Sequence, residues 1–335
     1  MVNIGINGFG RIGRHVLRAC IRKGLKVVAI NDPYLKPGHM AYLFKFDSVH
    51  GRWEGEVKCM DCFLVIDEQK LFVTSEKNPS KIPWAQLGVE YVVEATGVFT
   101  SCEKASMHID GGARRVIITA PSSVPTFVVG VNHDKYDTDM DVISTASSTT
   151  NCLAPLIKVM HENFEISDGL MSAIHAMTPN QTIVDGPTGK RWRDGRGGLQ
   201  NIVPTSTGAA ISIGQVFPDL QGKVTGMAMK VPVADVSVVD LTVRLKNNAP
   251  YDEIMCKIKE ACDGYLKGIM GYTDHQVVSS DFIGDTRSCI VDCRAGIPLN
   301  SNFVKMVAWY DNEYGYACRI SDMLDYMSSR EACPC

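Results

Sequence analysis

Nine residues, Ser144-Thr-Ala-Ser-Ser-Thr-Thr-Asn-Cys152, join a short strand pattern (Asp141 to Ser144) to an apolar stretch, Leu153-Ala-Pro-Leu-Ile-Lys-Val-Met160. A strand that enters a helix through small hydroxylic residues places the first helical side chain among unpaired backbone N–H groups. Such a place favours a negatively charged nucleophile or a bound anion. A second candidate is His175, in Ala173-Ile-His-Ala-Met-Thr178, which closes a strand pattern beginning near Leu170. By itself it reads either as a satisfied structural histidine or as a general acid and base. The third is Gly8-Phe-Gly-Arg-Ile-Gly13, with Asp32 about 20 residues beyond, the spacing of a dinucleotide fingerprint. In that motif Gly8 permits the tight turn, Gly10 lets the backbone approach a pyrophosphate and Gly13 lets helix and strand pack closely. Asp32 is placed to accept from a ribose, and its charge would repel a ribose phosphate, which favours NAD over NADP.

These residues need elements to hold them. Val2 to Asn7 alternates like a strand, a helical pattern follows Gly13, and Lys26-Val-Val-Ala-Ile-Asn31 reads as a second strand ending at Asp32-Pro33. Further strands are expected at Tyr91 to Thr96, Arg115 to Thr119 and Phe127 to Val131. The turn residues Thr96-Gly97 and Thr119-Ala-Pro-Ser122 then fall at carboxyl ends, where a doubly wound sheet forms its ligand crevice. Lys77 taken alone reads as a solvated surface lysine.

Beyond residue 147 the strands lengthen and alternate, as in an antiparallel sheet with one covered face. The longest expected run is Lys223 to Leu245, followed by a helix from Tyr251 to Leu266, a strand from Phe303 to Tyr310 and a final helix to about Tyr326. The change of pattern places a domain boundary there: 1–147, joined by a C-terminal helix within 313–335, and 148–312. Between Gln181 and Asn201 lies a glycine- and arginine-rich segment too irregular for helix or strand. It is short and contains acids, which speaks against a nucleic-acid patch, and long ordered loops usually have a task. Thr207 and Gly208 precede a helical stretch, Ile211 to Val216, and offer a hydroxyl and backbone N–H groups either to the helix or to an anion.

Bulk properties are those of an ordinary globular chain: 335 residues, 45% hydrophobic, 21% charged, net charge −3. That balance gives no reason to expect nucleic acid or an anionic membrane as the main partner. Twelve cysteines without regular spacing point to a reducing compartment. No signal peptide and no membrane span are legible, so the expected location is cytoplasmic. Cys59-Met-Asp-Cys62 has zinc-finger spacing but no second pair, so no metal is expected. Cys333-Pro-Cys335 reads as a mobile tail, and Cys152 as a packed residue.

The motifs together resemble the phosphorylating glyceraldehyde-3-phosphate dehydrogenase family, nearly end to end. The family's signature Ser-x-Ala-Ser-Cys-Thr-Thr-Asn-Cys matches Ser144 to Cys152, His-Ala-x-Thr matches His175 to Thr178, and Trp-Tyr-Asp-Asn-Glu-aromatic-Gly-Tyr matches Trp309 to Tyr316. The resemblance implies an α/β plus α+β protein: a Rossmann-type parallel-sheet NAD-binding domain and a mainly antiparallel catalytic domain that also makes a homotetramer. The irregular segment matches the S-loop that packs across a subunit interface. Arg11, Ile12, Lys77, Thr96, Gly97 and Thr119 join the expected NAD contacts, Asn312 would hold the nicotinamide carboxamide, and Tyr316 would lie nearby. Thr178, Asn180 and Lys230 would meet the substrate phosphate, and Ser147, Thr149, Thr207 and Gly208 the inorganic phosphate. The implied chemistry begins with a cysteine thiolate, activated by His175, attacking the aldehyde of glyceraldehyde 3-phosphate. Hydride then passes to NAD, and inorganic phosphate cleaves the thioester to 1,3-bisphosphoglycerate, a step of glycolysis.

One letter departs at the centre: Ser148 stands where the family has its nucleophile. A thiol of pKa about 8.5 can be driven to thiolate by a helix N-terminus and an imidazolium, whereas an alcohol needs a general base oriented by a third group. The chain is therefore expected to bind NAD and substrate and to turn over slowly or not at all. The favoured account is a substitution introduced to trap a substrate complex; the other is a natural NAD-binding scaffold that has lost catalysis. A related aldehyde dehydrogenase, such as one acting on erythrose 4-phosphate, would share fold and thiol chemistry. Two milder departures are Lys230, where the family usually has arginine, and Asn180, where it has threonine. Lysine cannot make arginine's bidentate fork to phosphate.

Overall fold

The computed structural model describes residues 2–189 and 191–332; Lys190, within the irregular loop, and the Cys333-Pro-Cys335 tail lie outside the described residues. Two compact units are present, Met1–Phe127 with Asn132–Ala146 and Ala317–Cys335, and Val128–Val131 with Ser147–Tyr316.

In the first unit β1 (Asn3–Asn7) leads through Gly8 to α1 (Arg11–Lys23) and β2 (Lys26–Asn31). The helix stops at Gly24, whose left-handed backbone (φ 77°) lets its N–H reach the Cys20 and Ile21 carbonyls. There follow α2 (Pro37–Lys45), β3 (Val57–Met60), β4 (Phe63–Ile66), β5 (Gln69–Thr74), β6 (Tyr91–Glu94), α3 (Cys102–Asp110), β7 (Arg115–Ile118) and β8 (Val142–Ser144). The sheet order is β3-β4-β5-β2-β1-β6-β7-β8. Pairing is parallel from β5 to β8, with β3 and β4 added antiparallel at one edge. Runs such as Val-Val-Ala-Ile in β2 and Val-Ile-Ile in β7 are almost wholly buried, as expected of a parallel strand covered on both faces.

The β3–β5 meander escaped the sequence reading. Its turns hold Asp61 and Asp67 at φ near +50°, and Cys59 and Cys62 flank the first of them. A second correction concerns Phe127 to Val131, expected as a strand. Only Thr126 bridges to Ser144; the chain then turns at Gly130 (φ 83°), with Val131 N–H on the Val128 carbonyl. The apolar residues there serve burial instead: Val128 belongs to the second unit's core.

The second unit begins with α4 (Ser148–Phe164) and continues through β9 (Ile166–His175), β10 (Val203–Ser206), α5 (Ala209–Val216), β11 (Val224–Lys230), β12 (Ser237–Leu245), α6 (Tyr251–Asp263), β13 (Met270–Thr273), β14 (Cys289–Asp292), β15 (Ile297–Asn300) and β16 (Phe303–Tyr310). α7 (Tyr314–Ala332) follows β16, runs past the expected end at Tyr326, and carries the chain back into the first unit. There Glu331 accepts from Arg115 Nε (2.8 Å) and the Tyr136 hydroxyl (3.2 Å), which holds its last turn.

The second sheet runs β10-β11-β9-β12-β16-β14-β13, with β15 on β16. All pairs are antiparallel except β11–β9 and β13–β14. Strict alternation of buried and half-exposed residues along β12 and β16 is the mark of one covered face. That cover is α4, whose Leu153, Leu156, Ile157 and Met160 join Val239, Leu241, Met306 and Ala308 in one apolar cluster. The expected single run from Lys223 to Leu245 is two strands, broken by Pro232, which has no N–H to donate, and by Val236 at φ 63°. α6 ends at Asp263, three residues early, at Gly264.

Candidate active site

In the first unit a cavity of about 400 Å³ opens beyond the carboxyl ends of the parallel strands, where a doubly wound sheet takes its ligand. Gly8, Gly10, Asp32, Lys77 and Thr96 line it, as does a set that motif spacing missed: Asn7, Pro33, Tyr34, Glu76, Val98 and Phe99. Those six had no fingerprint of their own; their signal was position, directly at or after a strand end.

Local geometry requires two of the three fingerprint glycines. Gly8 has φ 93°, and a Cβ on Gly13 would sit 2.0 Å from the Gly8 carbonyl oxygen. Nothing lies within 4 Å of where a Cβ on Gly10 would stand, and Gly10 has no side chain to cap α1. The helix start is therefore open to close approach by an anion. Asp32 accepts the Phe9 N–H on Oδ2 and the Tyr34 N–H on Oδ1, both at 2.9 Å, so its acceptor-only carboxylate is aimed by backbone and keeps lone pairs for hydroxyl donors. The Lys77 amine lies 5.9 Å from the centre of the Tyr34 ring, in cation–π range. Arg11, Ile12, Gly13, Gly97 and Thr119 are not among the residues that line the cavity; the Thr119 hydroxyl donates to the Glu94 carbonyl (3.0 Å). A cradle without side chains at the helix start, beside an aimed carboxylate, fits a dinucleotide.

In the second unit Ser147 caps α4, its hydroxyl accepting the Thr150 N–H (3.2 Å), and Ser148 is the first helical residue. Ser148 is half-buried, and its hydroxyl makes no hydrogen bond among the described residues. The next hydroxyl, Thr149, is buried and pairs with the Tyr310 hydroxyl (2.9 Å). Tyr310 in turn stands edge-on to the His175 ring, centroids 6.3 Å apart. His175 Nδ1 is 2.7 Å from the Ala176 carbonyl oxygen and 2.9 Å from the Lys230 amine. The carbonyl can only accept, so it fixes the proton on Nδ1 and leaves the lone pair on Nε2. Burial, and then the Lys230 charge, pull His175 down to about 4 from an ordinary 6.5. Glu313 is the one acid acting the other way, and more weakly. Burial likewise lowers Lys230 to about 8.

Two residues to which the motifs gave no role organise this site. Ser237 accepts the Ala176 N–H (3.0 Å) and donates to Asn312 Oδ1 (2.8 Å). It thereby couples the histidine strand to Asn312 and turns the Asn312 Nδ2 outward from that bond. Tyr310 is the other. Thr178 and Asn180 are joined through Thr178 Oγ1 and Asn180 Oδ1 (2.5 Å). Thr207 accepts the Ala209 N–H (3.2 Å) and Gly208 caps α5. Tyr316 is buried at the start of α7.

A parallel-sheet dinucleotide cradle in one unit and a histidine at a strand end in the other describe an NAD-dependent oxidoreductase. Comparison with known proteins agrees. Residues 2–102 match the family model described as "Glyceraldehyde 3-phosphate dehydrogenase, NAD binding domain", and residues 147–312 match "Glyceraldehyde 3-phosphate dehydrogenase, C-terminal domain". The chain is 59% identical over 332 residues to glyceraldehyde-3-phosphate dehydrogenase 2 of Drosophila pseudoobscura pseudoobscura, covering 99% of this chain and 100% of the relative. It is 59% identical over 333 residues to the Danio rerio enzyme (99% and 100%) and 55% over 331 residues to that of Wickerhamomyces ciferrii (98% and 99%). The chain belongs to the glyceraldehyde-3-phosphate dehydrogenase family, and its cofactor is NAD.

Proposed function

We propose that this chain binds NAD, glyceraldehyde 3-phosphate and inorganic phosphate as its family does, and that Ser148, at the nucleophile position, leaves it with little or no turnover to 1,3-bisphosphoglycerate. The observation that carries this is the state of the two central side chains. The Ser148 hydroxyl has no hydrogen bond to His175, and the histidine's other nitrogen faces a backbone carbonyl and an amine. A serine nucleophile needs its base in contact and that base oriented by an acid; neither condition holds.

The geometry of the neighbours supports a role for each. Nε2 of His175, with its lone pair free, is the atom that would take and return a proton. The α4 N-terminus presents backbone N–H groups to an oxyanion or a phosphate. Lys230 donates to nothing else among the described residues. Its contact with a protonated Nδ1 is poor, so an incoming phosphate would give its amine a better acceptor. Asn312, aimed by Ser237, would hold the carboxamide of the nicotinamide. NAD, when bound, supplies the hydride acceptor. The polar neighbours keep ordered partners, Ser147 on the Thr150 N–H, Thr149 on Tyr310 and Asn312 on Ser237, which favours a replacement introduced at residue 148 over long decay of the site.

We also propose a cytoplasmic homotetramer. Among the described residues no helix is long and apolar enough to cross a membrane. The second unit exposes Leu170, Ile183, Val184, Ile202 and Ile211, and Trp192 is 89% exposed, an apolar set that would be covered by other copies of the chain. A cavity of about 770 Å³ lies beside Trp192 and contains none of the catalytic candidates, consistent with an assembly surface.

Steady-state NADH production by this chain and by Ser148→Cys tests the central reading. An increase of a thousandfold or more is expected from restoring a thiol that can ionise. Equal rates would show that residue 148 is not the nucleophile position.

A further inference from the structure

We propose that Glu94 and His108 are positioning residues for the dinucleotide, the anchor of a one-way hydrogen-bond relay across the carboxyl ends of four neighbouring strands that sets the cofactor loops. Strands β5, β2, β1 and β6 lie side by side in that order, and their last residues are Thr74, Asn31, Asn7 and Glu94. Thr74 Oγ1 donates to Asn31 Oδ1 (2.8 Å), Asn31 Nδ2 to Asn7 Oδ1 (2.8 Å), and Asn7 Nδ2 to Glu94 Oε2 (2.6 Å). The Glu76 N–H adds a second donor on Asn31 Oδ1 (2.8 Å), and Asn31 Nδ2 also reaches the Glu76 carbonyl (2.9 Å).

The direction of this chain is fixed at one end. The Trp84 indole can only donate, and it points at His108 Nδ1 (3.1 Å). The His108 proton therefore sits on Nε2, which donates to Glu94 Oε2 (2.9 Å). Glu94 Oε1 accepts both the Thr96 N–H (2.8 Å) and the Thr96 hydroxyl. Four donors converge on one side chain, and only a carboxylate accepts on both oxygens. That charge orients the Asn7 amide, whose oxygen then orients the Asn31 amide. Both the Glu94 and His108 side chains are 0% exposed, so water cannot repair a reversed member.

The residues that line the cofactor cavity are those just past these strand ends. Gly8 and Gly10 follow Asn7, Asp32 follows Asn31, Glu76 and Lys77 follow Thr74, and Thr96 follows Glu94. Strand ends in such a sheet are joined by backbone pairing up to their last residues; here the side chains extend the joint one layer further, to the ligand. The relay rests on the NAD assignment and is independent of Ser148.

The test is NAD affinity by titration calorimetry with thermal unfolding of the same samples. An amide at residue 94 must set its NH₂ against either Asn7 and His108 or the Thr96 N–H. Glu94→Gln should raise the Kd for NAD at least tenfold. Thr74→Val removes only the half-buried far donor, and should raise Kd two- to fivefold with little change in Tm. Asn7→Asp sets two carboxylates face to face; its NAD binding should be weak at pH 8 and recover at pH 5.5, when one proton can be shared, whereas the parent shows no such recovery. A Kd within twofold of the parent in both Glu94→Gln and Thr74→Val, whatever their Tm, would overturn the proposal and leave the network a device of folding. If Glu94→Gln does not fold, Thr74→Val decides. A parent chain that fails to bind NAD would overturn the relay together with the cofactor assignment beneath it.

Discussion

The floor of the cofactor cavity and the group of residues around His175 are both polar, yet they are finished to different degrees. Beneath the cofactor, Glu94, His108, Asn7, Asn31 and Thr74 satisfy one another with a single consistent set of proton positions. Around His175 the donors outnumber the acceptors: Nδ1 and the Lys230 amine meet at 2.9 Å, and the Ser148 hydroxyl stands unengaged. A satisfied network gains rigidity and holds one geometry. A group left short of partners is ready to be completed by a ligand, at some cost in stability. The contrast separates a region built to hold from a region built to receive, and the proposed loss of turnover belongs to the second.

The contrast can be broken from the largest effect downward. The floor depends on close approach, so Gly13→Ala, whose Cβ would stand 2.0 Å from the Gly8 carbonyl, should abolish NAD binding in calorimetry; unchanged affinity would mean the turn is not the cradle. In the receiving pocket, Ser237→Ala removes a hydroxyl with two buried bonds. It should lower unfolding free energy by about 1–3 kcal/mol in denaturant titrations, with no loss of NAD affinity comparable to that of Glu94→Gln. Lys230→Arg should tighten binding of the phosphate of glyceraldehyde 3-phosphate several-fold, since guanidinium forms a bidentate fork; no change would remove Lys230 from the substrate-phosphate site.

A smaller effect is electrostatic. Lys230→Met keeps the site dry but removes a charge, so the His175 ring should titrate above its value of about 4, as read by NMR of the imidazole nitrogens. The sign for stability follows. The folded His175 resists the proton that the unfolded chain takes near 6.5, so this group destabilises the fold progressively as pH falls from about 6.5 toward 4. In Lys230→Met that acid loss should shrink; an unaltered profile would show that the lysine charge does not reach the ring.

How much of this was legible in the residues differs by mechanism. Local periodicity placed β1, α1, β2 and the glycine turn, because a 2-to-3.6 change of period with glycines between has few other realisations. The β3–β5 meander was missed because its aspartates at positive φ replace the usual glycine signal. Phe127 to Val131 misled because burial alone produces the same apolar run as a strand. At the site, Ser148, His175 and Asn312 were marked by motif, but the bonds of Tyr310 to Thr149 and of Ser237 to Ala176 and Asn312 were not, because both residues lie on strands whose alternation explains them equally well as core. The strand-end relay was invisible for a related reason. Its members are far apart along the chain, and only the sheet order makes them neighbours.

The most direct trial of the account is rapid mixing of the protein with NAD and glyceraldehyde 3-phosphate, following NADH absorbance through the first turnover. The prediction is tight binding of both ligands with no burst from this chain, and about one NADH per active site from Ser148→Cys. A full burst from the unaltered chain would contradict it, because hydride transfer would then proceed without sulfur.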